Sequence, residues 1–222
     1  NFLTKYLVRL ADLVVVPSEY FKKVVTEKYN VTNIFVSPSA GVDIDVFKPN
    51  VKILKKINEF KIGYVGRISE TKGWDILIHS FNDLVKIIPD LHLVMVGNGP
   101  QEKQALELIQ RLGLEDKIER KDLLPQEELA SIYSSLDLFI FPSKASESLG
   151  LVGLEAMACG VPVVGTNYGG IKTYVISGYN GYLFEREEYK SLQRQIINFY
   201  YLDKDEKIIM SKNAVDTAKK YD

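Results

Sequence analysis

A single cysteine, Cys159, in 222 residues excludes an internal disulfide framework and suits a reducing compartment. In the small-residue string AMACG it reads as a core residue. Histidine is nearly as scarce: His79 falls inside a helical pattern and His92 at a strand start, neither with a partner at metal-ligand spacing. Neither sign of charge is in excess. The 28 basic and 29 acidic residues leave a net charge of −1, so no global field favours nucleic acid or an acidic membrane. No apolar run approaches the roughly 20 residues that span a bilayer, and no signal peptide is visible. Internal repeats and low-complexity tracts are also missing. The chain starts at Asn1 and its methionines (Met95, Met157, Met210) are all internal, so a piece of a longer polypeptide is expected.

What the chain does have is alternation. ADLVVVPS (11–18), FKIGYVGR (60–67), LHLVMVGNGP (91–100), DLFIFPS (137–143) and VPVVGT (161–166) read as strands, with KIERKDLL (117–124) weaker and NIFVSPS (33–39) extended. Between them lie helical patterns: EYFKKVVTEKY (19–29), GWDILIHSFNDLVKII (73–88) stopped by Pro89, QEKQALELIQRLG (101–113) opened by Pro100, and PQEELASIYSSL (125–136). Two mostly polar helices follow from about Glu185. AGVDIDVFKPN (40–50), with Gly, Asp and Pro at turn positions, reads as a linker. Strands without polar alternation imply a sheet buried on both faces, and alternation with helices makes it parallel. The expected class is α/β, doubly wound.

One helix is oddly written. In ESLGLVGLEAMACG (147–160), Leu149, Leu151, Val152, Leu154 and Met157 supply a core stripe, yet Gly150 and Gly153 interrupt it. Each glycine costs about 1 kcal/mol against alanine. Two acids, Glu147 and Glu155, stand at its front. In a doubly wound sheet, ligands sit outside the carboxyl ends of the strands. That rule selects GRISETKG (66–73), GNGP (97–100), PSKASES (142–148) and TNYGG (166–170) as one rim. Arg67 and Lys72 leave the first of these loops and can converge on one anion, a planar fork beside a compact charge. A helix N-terminus favours phosphate, and Gly150 lets a ligand approach that backbone. Glu155 can accept hydrogen bonds from two ribose hydroxyls, and Glu147 can hold a hydroxyl beyond the phosphates. Each residue has a plainer explanation: a solvated cation pair, an acid complementing the helix dipole, a glycine easing helix–sheet packing. Their coincidence on one rim is what favours a ligand.

In order and spacing, GYVGRISETKGWDILIHSF, LVMVGNGP, LLPQEELASIYSSLDLFIFPS and ESLGLVGLEAMACGVPVVGTNYGG resemble the nucleotide-binding half of the retaining, two-domain GT-B glycosyltransferases of the large group 1 (family 4) type. The resemblance covers about residues 10–185, with Glu147 and Glu155 as its Glu-x7-Glu signature. It implies a Rossmann-like domain and transfer of a hexose-type sugar from a nucleotide-diphosphate sugar with retention of configuration. Glu147, Arg67 and Lys72 become the catalytic candidates. Arg67 and Lys72 are expected on the donor diphosphate, where they stabilise the leaving group. Gly66 and Gly97 are expected to shape the rim loops around the donor. Glu147 is expected to face the donor sugar. The backbone of Ser148, Leu149, Gly150 and Leu151 is expected to meet sugar and phosphate. Glu155 is expected to bind the ribose, and the main chain at Leu124 the base. Neither a metal nor another cofactor is expected.

The resemblance also implies a layout: residues 1–38 as the tail end of an N-terminal, acceptor-side domain, 39–52 as the interdomain linker, and 53–222 as the donor-binding domain. A carbohydrate or lipid-linked acceptor would be bound mainly by the rest of the first domain, so this chain alone is expected to bind nucleotide but not to transfer sugar efficiently. A cytoplasmic location is expected. Peripheral contact with the inner face of the membrane would run through the Tyr- and Lys-bearing helices near 20–29 and 189–201.

The pattern departs from the family after GG, where a Pro-Glu pair is usual and Lys172 and Thr173 stand here. That leaves the donor sugar open. Asp43/Asp45 and Asp203/Asp205 match an Asp-x-Asp metal pattern of a different glycosyltransferase fold, but one pair sits in the linker and the other in a polar tail helix. GNGPQE lacks the third glycine of a dinucleotide fingerprint, which weighs against hydride transfer. A GT-B-fold epimerase or phosphorylase would need further acids or a lysine-bound cofactor, and neither signature is evident. A non-catalytic nucleotide-binding module would have no use for the full Arg67, Lys72, Glu147 and Glu155 set.

Overall fold

The structure, a computed structural model, describes residues 2–37, 41–50 and 59–222. Asn1, 38–40 and 51–58 lie outside the described residues, and with them both ends of the expected linker and the expected start of the donor-binding domain. The chain opens with helix α1 (Phe2–Leu10), strand β1 (Val14–Val16), helix α2 (Glu19–Tyr29) and strand β2 (Ile34–Val36). β1 and β2 pair in parallel as a separate two-stranded sheet. The NIFVSPS segment therefore contributes a short strand. Ser18 caps α2 by accepting the Phe21 amide.

The main sheet has six parallel strands: β3 (Phe60–Val65), β4 (Leu91–Val96), β5 (Ile118–Lys121), β6 (Leu138–Phe141), β7 (Val163–Thr166) and β8 (Gly181–Phe184). Their order is β5-β4-β3-β6-β7-β8. Helices α3 (Trp74–Leu84), α4 (Glu102–Arg111), α5 (Gln126–Ser135), α6 (Leu151–Ala158), α7 (Tyr189–Tyr200) and α8 (Lys204–Ala218) connect and cover them. Every residue of β6 is buried, and the strand period of two sorts them by face. Leu138 and Ile140 join a core with Phe81 of α3, Leu108 of α4 and Ile196 of α7. Phe139 and Phe141 join the opposite core with Tyr133 of α5, Met157 of α6 and Ala214 of α8. An uninterrupted Leu-Phe-Ile-Phe run is what a strand between two helical layers requires.

Two sequence expectations need amendment. The odd helix starts only at Leu151, because Gly150 stands ahead of it at φ +84°, a left-handed conformation that an α-helix cannot include. Leu149, although buried, is therefore not part of its stripe. Strand β8, absent from the sequence reading, is hidden in GYLF because it is only four residues long, half of them only partly buried. The Asp-x-Asp acids are local caps. Asp43 accepts the amides of Asp45 and Val46 at 2.9 and 3.1 Å, and Asp203 forms a capping box with Glu206 at the start of α8. Among the described residues no group of three or more His, Cys, Asp or Glu is placed to hold a metal, and no helix is long and apolar enough to cross a membrane.

The strand order reverses between β3 and β6, which are neighbours although three helices and two strands separate them in sequence. The rule for doubly wound sheets places a ligand there, at the carboxyl ends, by the loop after β3 and the loop after β6.

Candidate functional site

The first loop is clamped from one side by the loop after β4. Gly66 donates to the Val96 carbonyl at 3.0 Å and Ile68 to that of Asn98 at 2.9 Å. Tyr64 fixes the Arg67 carbonyl at 3.0 Å. Gly97, buried and at φ +123°, leaves no room for a Cβ against the Gly66 carbonyl. It thus supports the loop from beneath, and Arg120 holds its carbonyl at 2.8 Å. From the other side comes the loop after β6. Lys144 donates its amide to the Thr71 carbonyl at 2.8 Å and Ser143 its hydroxyl at 3.2 Å. Gly73, at φ +67°, would drive a side chain into the Pro142 carbonyl.

These ties bring Lys72 onto Glu147. The ammonium donates to Glu147 Oε1 at 2.7 Å, and the buried Ser143 hydroxyl donates to the same oxygen at 2.6 Å. Ser143 was not singled out from sequence; only its place in the strand-ending string FPS offered a signal. Arg67 is exposed, and among the described residues its guanidinium has no partner. The Glu147 carbonyl accepts the Gly170 amide at 2.8 Å, and a side chain at 170 would overlap the Ser148 carbonyl. The TNYGG loop therefore closes on the Glu147–Ser148 turn, which explains its paired glycines.

Above this turn stands the tip of α6. Among the described residues the amides of Leu151 and Val152 find no backbone acceptor, as expected of a first helical turn, and Gly150 supplies no side-chain cap. Two fully buried tyrosines reach this helix from within. Tyr174 donates to the Gly150 carbonyl at 2.9 Å, and Tyr133 donates to Glu155 Oε2 at 3.0 Å. Gly150 and Gly153 are required here for packing as well: a Cβ at 150 would meet the Phe141 ring, and one at 153 the Tyr174 hydroxyl. Burial raises the Glu155 carboxyl above its ordinary range, and the Tyr133 hydrogen bond opposes that rise. Both tyrosines were missed because nothing in sequence shows which residue a buried hydroxyl meets.

The remaining expected residues sit as follows. Ser148 is exposed, Leu149 buried and Leu151 half-buried at the helix tip; Leu124 is half-buried between β5 and α5. Ser146 Oγ is buried in the loop after β6, with no partner among the described residues. Lys172 is exposed, and Thr173 turns its hydroxyl back onto the Gly170 carbonyl at 2.5 Å. Cys159 is a core residue whose thiol burial pushes up to about 12. A cavity of about 980 Å³ opens at the amino ends of the strands, where Asp90, Asp137 and Pro162 line it with α7 and with α8 and its C-cap, which bring Lys204, Lys207, Lys212 and Lys219. These cations stand along one helix whose tip is closed by its capping box, so volume alone does not make it the site.

The family model for glycosyl transferases group 1 matches residues 47–220. D-inositol 3-phosphate glycosyltransferase of Corynebacterium urealyticum is 32% identical over 200 residues, 82% of this chain and 46% of its own length. Sucrose-phosphate synthase from Thermosynechococcus elongatus superposes with a TM-score of 0.86 at 25% identity, over 99% of this chain and 56% of its own. Anabaena HepE, solved in complex with UDP and glucose, gives 0.82 at 27% identity, over 96% of this chain and 60% of its own. The chain thus spans about half the length of the relatives it matches. Its parallel sheet, its strand-order reversal between β3 and β6 and its match over most of its residues agree: the chain belongs to the group 1 glycosyltransferases.

Proposed function

We propose that this chain is the donor-binding part of a sugar transferase, with a nucleoside diphosphate-sugar lying across the carboxyl ends of β3 and β6. The observation that carries this reading is the gathering of unmet donors on one rim. The Arg67 guanidinium, in the loop after β3, and the Leu151 and Val152 amides, at the tip of α6, lack partners among the described residues, and Lys72 ties the first of these loops to Glu147. In the reaction, the bond between the anomeric carbon and the diphosphate oxygen breaks. Negative charge grows on the phosphate while the sugar carbon becomes positive. Arg67, Lys72 and the α6 amides are donors on the rim where that negative charge develops, and their interaction with it lowers the barrier. Lys72 exchanges its contact with Glu147 for the diphosphate. This frees the Glu147 carboxylate, still held by Ser143, for a hydroxyl of the donor sugar. Glu155 receives the ribose, and the main chain at Leu124 lies against the base. The acceptor hydroxyl attacks from the face the leaving group vacates and passes its proton to the departing phosphate oxygen, giving retention, and no metal is needed because the cations are built in.

The same reading assigns α1, β1, α2 and β2 to the acceptor-side domain. Its remainder would cover the exposed Phe2, Leu7, Leu10, Val15 and Phe35 and bind a carbohydrate or lipid-linked acceptor. The reaction would take place in the cytoplasm. Calorimetric titration with UDP, GDP and ADP tests the donor site. One nucleotide is expected to bind in the micromolar to millimolar range, more weakly to Lys72→Ala and Glu155→Ala. Equal affinity in both variants would remove the basis of the reading.

A further inference from the structure

We propose that Tyr133 is a positioning residue for Glu155: its buried hydroxyl fixes one carboxylate oxygen so that the other is presented to the ribose diol of the bound nucleotide. This deepens the reading above and rests on Glu155 meeting the ribose. Tyr133 is fully buried on α5, with its ring edge-on to Phe139 at 5.5 Å and to Phe47 at 6.0 Å between centroids. A ring wedged in this way fixes its hydroxyl in space. The hydroxyl donates to Glu155 Oε2 at 3.0 Å. Glu155 is only partly buried, and among the described residues its Oε1 accepts no hydrogen bond. One oxygen is anchored from within and the other faces outward.

The arrangement serves a ligand in two ways. A free glutamate has three rotatable bonds, and ordering it at the moment of binding weakens affinity; here that ordering is complete beforehand. The ionised form must also survive burial. The titratable groups facing Glu155 are Tyr133 from α5, Tyr174 from the turn after β7, and Cys159 on its own helix, and none is a cation. The Tyr133 hydrogen bond is therefore what offsets desolvation of the carboxylate. Burial holds the Tyr133 phenol itself well above its ordinary range, so it remains a donor at every working pH. It takes no proton and touches no substrate.

Titration calorimetry of the full chain with UDP, GDP and ADP and their 2′-deoxy forms, from pH 5 to 8, tests the assignment in wild type, Tyr133→Phe and Glu155→Gln. Wild type is expected to prefer the ribose form. Tyr133→Phe should bind the ribonucleotide about tenfold more weakly, the size of one hydrogen bond to a charged group, and the deoxy form unchanged. Its loss of binding on acidification should begin at higher pH, because burial then acts on Glu155 without opposition. If Tyr133→Phe keeps the wild-type affinity and pH profile while Glu155→Gln loses the ribose preference, the role of Tyr133 is overturned and that of Glu155 stands. If Tyr133→Phe melts early and weakens both forms equally, the residue is merely structural and the proposal also fails. If Glu155→Gln keeps the ribose preference, or wild type binds none of the nucleotides, the underlying reading fails.

Discussion

The two ends of the six-stranded sheet are both rich in polar groups, yet they treat them oppositely. At the amino end the buried and half-buried groups lining the cavity are spent on the fold, while the exposed Lys204 and Lys212 have no partner among the described residues. Asp137 accepts the Lys61 amide at 2.8 Å and returns its own amide to the Lys61 carbonyl at 2.8 Å. Lys207 caps the Tyr200 carbonyl at 2.6 Å, and Ser211 that of Gly160 at 2.6 Å. At the carboxyl end the Leu151 and Val152 amides, Ser146 Oγ and the Arg67 guanidinium are left without partners among the described residues. The cavity of about 980 Å³ lies at the amino end. Unmet backbone amides and a buried hydroxyl without a partner, rather than volume, mark the place where a ligand adds something the fold does not supply.

Substitutions at the two ends should separate accordingly. The largest effect is expected from Gly73→Ala, where a left-handed backbone and the Pro142 carbonyl both oppose a side chain. A loss of about 3 kcal/mol in urea unfolding is expected, and a loss near zero would show that the two loops are not locked together. Next comes Lys72→Ala, expected to weaken nucleoside diphosphate binding by about 30-fold in calorimetry, as for a charge-assisted contact. Asp137→Ala sharpens the contrast from the other end. It should lower stability by about 1–2 kcal/mol, because the Lys61 amide loses its side-chain acceptor, and leave nucleotide affinity unchanged. A change in affinity there would abolish the distinction between the ends.

The smallest effect concerns Glu155 and has a definite sign. Its carboxyl is raised in the folded state, so the stability it contributes is complete below its unfolded value and lost as pH rises through the folded one. Glu155→Gln, which cannot ionise, should therefore raise the melting temperature by roughly one or two degrees at neutral pH. That gain should vanish in acid, while ribose recognition is lost. A residue that weakens the fold in its charged form is kept for another purpose, and a melting temperature unchanged across pH would remove that argument.

Much of this was legible in the residues themselves. The runs FKIGYV, LHLVMV and LFIF could only be strands between two layers, and Pro100 and Pro125 open helices where expected, although α3 ends at Leu84, well before Pro89. The rim loops followed from topology once the strands were parallel. Less legible was why the glycines are there. Gly97 and Gly170 face protein carbonyls, and Gly150 and Gly153 face the rings of Phe141 and Tyr174. Those partners stand at sequence distances that no local pattern encodes.

By itself, then, the sequence determined the layers, the order of elements apart from β8 and the set of charged residues at the rim, because hydrophobic period and turn chemistry are local properties. Tertiary structure alone decided that Lys72 rests on Glu147, 75 residues away, and that Tyr133 holds Glu155 from within. It also decided that, among the described residues, the Leu151 and Val152 amides and Ser146 Oγ find no partner at the carboxyl end. Pairings of that kind depend on where the strands cross over, since a side chain's partner is fixed by the packing of distant segments and not by its neighbours in the chain.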